Sequence, residues 1–301
     1  MKILVSAGKV PDTQSLSSGW FHAFQFLGHQ TRSWVCGKDS SFDAMDEFDP
    51  DLVWAHSRDL TRDAVRAILD KKIKIILFIS NFEEASEEEK NFVYQLRNAG
   101  VLLNTTFPTL ISKERLHWGH HSGVYGILPC LPAADLVLPA PSPLQSSFRS
   151  EISFIGCYEA RKEKNISEFI YPLLERYQVK LFGYGPWPTA NYLGSLDKRS
   201  FQEVVENSKI NISVSNDNST SPSERIFKIL KYNKTPVVHE SLPDYHDIFG
   251  ESCLFFKNVE ELEEIIVKQP KLELTGIEWL INNHHCYTDR VQEIFKVLGV
   301  K

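Results

Sequence analysis

In the stretch Ser221-Pro222-Ser223-Glu224-Arg225-Ile226-Phe227-Lys228, two cations three residues apart, Arg225 and Lys228, follow directly on a set of helix-starting residues. Ser221 suits the N-cap and Pro222 the first helical position, where its missing N–H would be unpaired anyway; Glu224 closes a capping box with Ser221. The first turn of a helix offers unpaired N–H groups and the positive end of the helix dipole, so it attracts an anion such as a phosphate. Arg225 and Lys228 add positive charge there. The same residues also fit a helix start that binds nothing, because Glu224 can itself satisfy the dipole.

The neighbouring residues say what would carry such a site. Ile210, Ile212 and Val214 alternate with Asn211, Ser213 and Ser215, the pattern of a strand that runs into a polar loop. Ile226, Phe227, Ile229 and Leu230 give the following helix one apolar face, Asn233 ends it, and Pro236-Val237-Val238 opens the next strand. A β-α-β unit results. Its right-handed crossover puts the loop from Asn216 to Ser223 at the carboxyl edge of a parallel sheet.

The same alternation runs along the whole chain. Before the middle, strands are expected at Lys2 to Gly8, Thr31 to Cys36, Pro50 to His56, Lys74 to Ser80 and Val101 to Asn104. Between them fall helices at about Ser18 to Leu27, Thr61 to Asp70 and Ser86 to Ala99, the last with a Ser86–Glu89 capping box, and a turn or helix at Asp43 to Phe48. Ile75 to Ile79 is a continuous apolar run of the kind that a sheet covered on both faces requires. Pro129, Pro132, Pro139, Pro141 and Pro143 then interrupt the pattern, with Leu136-Val137-Leu138 as a last short strand. Beyond them come strands at Glu151 to Cys157, Val179 to Phe182 and Cys253 to Phe256, with helices at Lys164 to Arg176, Ser200 to Asn207, Val259 to Lys268, Thr275 to Asn282 and Asp289 to Leu298. The expected fold is therefore α/β, with two Rossmann-like parallel-sheet domains, 1–145 and 146–301, facing across a cleft. A stiff Pro-rich hinge joins them, and the last helix is free to pack back on the first domain.

Composition narrows the class. With 33 basic against 39 acidic residues, a net charge of −6 and no basic stripe, the chain carries no clear nucleic-acid footprint. No apolar run reaches the length of a membrane span, and the start is too short an apolar run for a signal peptide, so a cytoplasmic protein is expected. Five scattered cysteines without a C-x-x-C fit reduced, buried thiols. His117, His120 and His121, with His284 and His285, give no convincing metal spacing, since adjacent histidines point different ways.

Several segments resemble the GT-B glycosyltransferases, and within them the CgeB/YkvP-like group of the glycosyl transferase family 1 and 4 neighbourhood. The likeness rests on Ile127-Leu128-Pro129 through Ala134-Asp135, on Ile152 to Cys157 with Arg161, and on Leu181-Phe182-Gly183-Tyr184-Gly185. It continues through Ser223 to Phe227, Thr235 to Val238, and His285 to Arg290, covering the second half well and the first by topology. The resemblance implies a UDP- or GDP-linked sugar held by the second domain and an acceptor held by the first, with no cofactor or obligatory metal. The acceptor, whether glycan, lipid-linked, protein or modified base, is not specified. Donor contacts are expected from Gly156, Arg161, Gly183, Tyr184, Gly185, Thr220, Ser221, Ser223, Glu224, Arg225 and Lys228. A general base for an acceptor hydroxyl is expected at Asp12 or His56, each of which also fits an ordinary structural role. One position departs from the family: where relatives carry Glu after Arg-x-Phe, this chain has Lys228, which cannot accept bonds from ribose hydroxyls. An inactive binding or scaffold protein is the alternative, and a sugar-nucleotide epimerase a third reading.

Overall fold

The computed structural model describes residues 1–6, 16–35, 37–79, 86–107, 127–137, 148–185, 187–215, 222–242, 244–270, 272 and 276–300. The expectations for Gly8, Asp12, Cys36, the triplet His117, His120 and His121, and Thr220 and Ser221 lie outside them. The chain divides into two compact units: Met1–Leu131 with Tyr287–Lys301, and Pro132–Cys286.

In the first unit the strands β1 (Lys2–Ser6), β2 (Gln30–Trp34), β3 (Leu52–His56), β4 (Lys74–Phe78), β5 (Leu102–Phe107) and β6 (Ile127–Pro129) form a sheet in the order β2-β1-β3-β4-β5-β6. Every pairing is parallel. The apolar run of β4 is buried throughout, as burial of both faces demands. On one face Leu4, Val53, Ala55, Ile75 and Leu77 join Ala64, Val65 and Ile68 of the helix Arg62–Lys71 and Phe92, Val93 and Leu96 of the helix Glu87–Asn98. Trp54 stacks on Trp20 of the helix Leu16–Phe26 with ring centroids 5.2 Å apart. Trp20 and Phe24 in turn meet Tyr287 and Phe295 of the last helix, Tyr287–Leu298.

In the second unit β7 (Ser150–Ile155), β8 (Val179–Phe182), β9 (Ser208–Ser213), β10 (Pro236–His239) and β11 (Leu254–Phe256) form a sheet in the order β11-β10-β9-β7-β8, again parallel at every pairing. Two buried polar pairs lock β7 to β9: Ser150 Oγ lies 3.0 Å from Ser208 Oγ, and Ser153 Oγ donates to Asn211 Oδ1 at 2.8 Å. Asn211 Nδ2 then donates to Val205 O of the helix Lys198–Asn207, tying helix to sheet.

Four expectations need correction. Leu136 and Val137 form no strand; Val137 instead closes a turn by donating its N–H to Asp135 Oδ1. The division between units falls at Leu131 and Pro132, ahead of position 145, because the segment after Pro132 is fastened within the second unit. There Ala134 N donates to His285 O, Lys198 pairs with Asp135 at 3.4 Å, and Lys231 Nζ donates to Val137 O at 2.7 Å. The helix expected over Lys164 to Arg176 is two pieces, Glu163–Phe169 and Tyr171–Leu174, because Pro172 has no N–H to continue the ladder. Finally, the helix Glu224–Lys231 is capped by Ser223, which accepts the Arg225 N–H at 3.3 Å, so Pro222 lies before the cap.

Candidate functional site

At the carboxyl ends of β7 and β8 the second unit brings the two following loops to close range. Gly156 N donates to Phe182 O and Tyr158 N to Tyr184 O, both at 2.8 Å, which zips the loop after β7 to the loop after β8. Side chains would prevent this. A Cβ on Gly183 would stand 2.1 Å from Gly156 O, and one on Gly185 would stand 2.8 Å from Tyr158 O. Both glycines also have positive φ, at 129° and 95°. A Cβ on Gly156 would stand 2.6 Å from Arg225 Nη2. Gly156, Gly183, Gly185 and Arg225, chosen from the sequence, thus meet, while Tyr184 between the glycines is largely exposed.

Arg225 is the centre of the arrangement. Its guanidinium lies 4.6 Å from the Phe154 ring centroid, and Nη1 donates to Val214 O at 3.3 Å and Ser213 Oγ at 3.4 Å. Among the described residues no carboxylate reaches it within ion-pair distance. Burial pulls its pKa down to about 10, so it stays charged at neutral pH in a setting that penalises the charge. An uncompensated, largely buried cation is costly unless an anion completes it.

Its neighbour in charge is Lys162, which the sequence reading missed in favour of Arg161. Arg161 turns to Glu159 and remains well exposed. Lys162 is folded inward, with Nζ 3.5 Å from Cys157 O and 3.8 Å from Glu159. Its pKa is lowered, first by burial and then by the Arg225 charge, which Glu159 partly offsets. Glu224 and Lys228 are paired with one another at 3.0 Å across one turn of their helix. The capping box expected between Glu224 and Ser221 lies outside the described residues.

A second set of bonds fixes the end of β9. Asn165 Nδ2 donates to Ser215 O at 3.1 Å, and Ser215 Oγ lies 3.0 Å from Tyr245 OH, which also accepts from Ser241. Tyr245 is fully buried and burial raises its pKa. Nothing local in the sequence marks Asn165 or Tyr245, since they meet Ser215 only through the fold.

In the first unit, His56 closes β3, and its Nδ1 accepts the Arg58 N–H at 3.1 Å. Burial is the main cause that lowers its pKa to about 4, with Arg58 adding to the effect. The ring is neutral, and with Nδ1 accepting, its proton is assigned to Nε2. That tautomer donates; it has no free lone pair for a proton. With Nδ1 taken by the Arg58 N–H, His56 is set up to donate through Nε2. His285 packs against Trp279, Phe227 and Phe249, a core role. No group of three potential metal ligands is assembled among the described residues.

Comparison with known proteins agrees with this architecture. Residues 161–296 match the family model described as glycosyl transferase-like. No curated protein matches the chain in sequence. Among solved structures, the Anabaena protein HepE in complex with UDP-glucose superposes with TM-score 0.67 at 11% identity, covering 100% of both chains. An α-glucosyltransferase in complex with UDP gives 0.66 at 10% identity, with 99% of each chain covered. The T4 phage β-glucosyltransferase gives 0.61 at 13%, covering 99% of this chain and 98% of that one. The two parallel-sheet units are those of the GT-B glycosyltransferase fold, and the matched segment includes Lys162, Gly183, Gly185 and Arg225.

Proposed function

We propose that this chain is a glycosyltransferase that moves a sugar from a UDP- or GDP-linked donor to an acceptor hydroxyl without a metal. Within the glycosyltransferases we place it in the CgeB/YkvP-like group, on the residue pattern of its second half. The observation that carries the reading is Arg225: a part-buried cation that no carboxylate among the described residues pairs with, packed against Gly156, which in turn packs on Gly183. The UDP and UDP-glucose bound by the Anabaena protein and the α-glucosyltransferase support a nucleoside diphosphate as the missing anion. In glycosyl transfer, positive character builds at the anomeric carbon while a diphosphate leaves. Fixed cations and N–H groups aimed at that diphosphate stabilise the charge as it develops. Arg225 and Lys162 take this role without a divalent ion, with Gly183 and Gly185 admitting the phosphates to the backbone.

Titration calorimetry with UDP and GDP tests the reading. A charge-assisted bond contributes about 1.5–3 kcal/mol, so Arg225→Ala is expected to weaken binding roughly 10- to 150-fold. Unchanged affinity, or no binding of either nucleotide by the unaltered protein, would reject it. Chelation by EDTA is expected to leave transfer intact. The second reading, a nucleotide-sugar-binding protein without turnover, draws on Lys228, whose ammonium is taken up by Glu224 and offers the ribose no acceptor. Tight UDP binding with no transfer and no donor hydrolysis would favour it.

A further inference from the structure

We infer that Asp59, on the turn that follows β3, is the general base that takes the acceptor's proton, and that the transfer inverts the sugar. The inference rests on the proposed transferase activity. In a parallel α/β sheet, chemistry gathers at the carboxyl ends of the strands. Four carboxylates near that edge of the first unit have described partners that use them. Glu89 accepts from Ser86 N and from Ser57 Oγ; Asp63 accepts from Ser41 N; Asp39 accepts from Val35 N; Glu88 pairs with Arg62.

Asp59 differs from them. Its Oδ2 accepts from Ser6 Oγ at 3.3 Å, and Ser6 Oγ accepts the His56 N–H at 3.1 Å, so the ends of β1 and β3 together orient the carboxyl group. No cation pairs with it, and Oδ1 has no hydrogen-bond partner among the described residues. Desolvation raises its pKa, which the Ser6 bond offsets in part. The charged and titratable groups around the turn are His56 and Arg58 on the turn itself, Glu89 across from Ser57, and Arg62 held by Glu88. A half-buried carboxylate, oriented through one oxygen and with no partner for the other among the described residues, is the arrangement a general base needs. His56 lies three residues before it, with its ring proton on Nε2.

The step balances as a single displacement. The acceptor O–H bond breaks and its proton goes to Asp59 Oδ1. The oxygen forms a bond to the anomeric carbon, and the bond from that carbon to the β-phosphate oxygen breaks, its electron pair leaving on the diphosphate. From an α-linked donor the product is β-linked.

The test uses the full chain with UDP-glucose, water standing in as acceptor, across a pH series. Asp59→Ala is expected to lose about 10²- to 10⁴-fold in turnover, as loss of a general base does. UDP affinity should stay the same. Sodium azide, an anionic nucleophile with no proton to lose, should restore turnover in this variant and yield the β-glycosyl azide. Ser6→Ala removes the bond that lowers the Asp59 pKa, so the acid limb of the rate profile should move to higher pH. Asp59→Asn should melt no lower than the unaltered protein, because the charge it removes is desolvated. Full turnover by Asp59→Ala with UDP affinity intact, rescue of Asp12→Ala in its place, or an α-linked product would overturn this assignment alone. Failure of the unaltered protein to bind UDP or turn over any donor would overturn the transferase reading with it.

Discussion

At the scale of single residues, the proposed donor site depends on atoms that are missing as much as on those present. Gly156→Ala would put a methyl group 2.6 Å from Arg225 Nη2 and 2.9 Å from the Phe154 ring. The guanidinium is the end of a flexible side chain and can shift, so stability should fall by only about 1–3 kcal/mol while UDP affinity drops with the displaced charge. Gly183→Ala meets backbone, with Gly156 O at 2.1 Å and φ at 129°. It should therefore unfold the second unit more readily than Gly156→Ala, and urea titration of the two variants checks the order. Arg225 was legible in the sequence because a Ser-Pro-Ser-Glu start fixes where a helix begins to within a turn. Lys162 was not, because it and Arg161 are adjacent on one short turn and only the position of Glu159 decides which goes inward. The proposed role of Asp59 leaves no local trace for a similar reason: the orientation of its carboxyl group comes from Ser6, which is 53 positions away. His56 was chosen by residue type, and the bond from Arg58 N that fixes its tautomer has no trace in the pattern.

Elements were easier to read than side chains, since period and caps are local properties. Strands β8 and β10 and the helix Val259–Lys268 with its Asn258 cap fall where alternation and capping residues put them. The Ser86–Glu89 capping box is also formed. The misplaced cap at Ser223 and the broken helix at Pro172 are both effects of proline, which fits the first turn of a helix and also ends the one before it. Strand order is a different matter, because neighbours such as β7 and β9 are separated by a whole crossover. Here the buried Ser150–Ser208 and Ser153–Asn211 pairs select the partner and the register, since a slip would leave each group unsatisfied. Asn211→Ala strands Ser153 Oγ and Val205 O, and should cost about 1–3 kcal/mol in urea unfolding. Ser153→Ala together with Asn211→Ala should cost less than the two single changes added, as expected for groups sharing one bond.

At the scale of the molecule, two α/β units were visible from the double run of alternation, but their division was not. Proline content marks irregular backbone without saying which unit holds it; Asp135 and Val137 are claimed by Lys198 and Lys231. The helix Tyr287–Leu298 belongs to the first unit through Trp20, Phe24 and the Arg290 Nε bond to Leu131 O at 3.1 Å. Phe295→Ala should cost about 3 kcal/mol. Hydrogen exchange should show the loss in β1 and β3 while β7 and β9 keep their protection.

That returning helix has a consequence for synthesis. A ribosome delivers β1 to β6 first, yet the aromatic face around Trp20 receives its cover only after Cys286 has emerged. The unit made second has its own segments complete earlier than the one made first. A nascent chain stalled anywhere before Tyr287 would thus display an open aromatic patch, the kind of surface that a trigger-type chaperone binds.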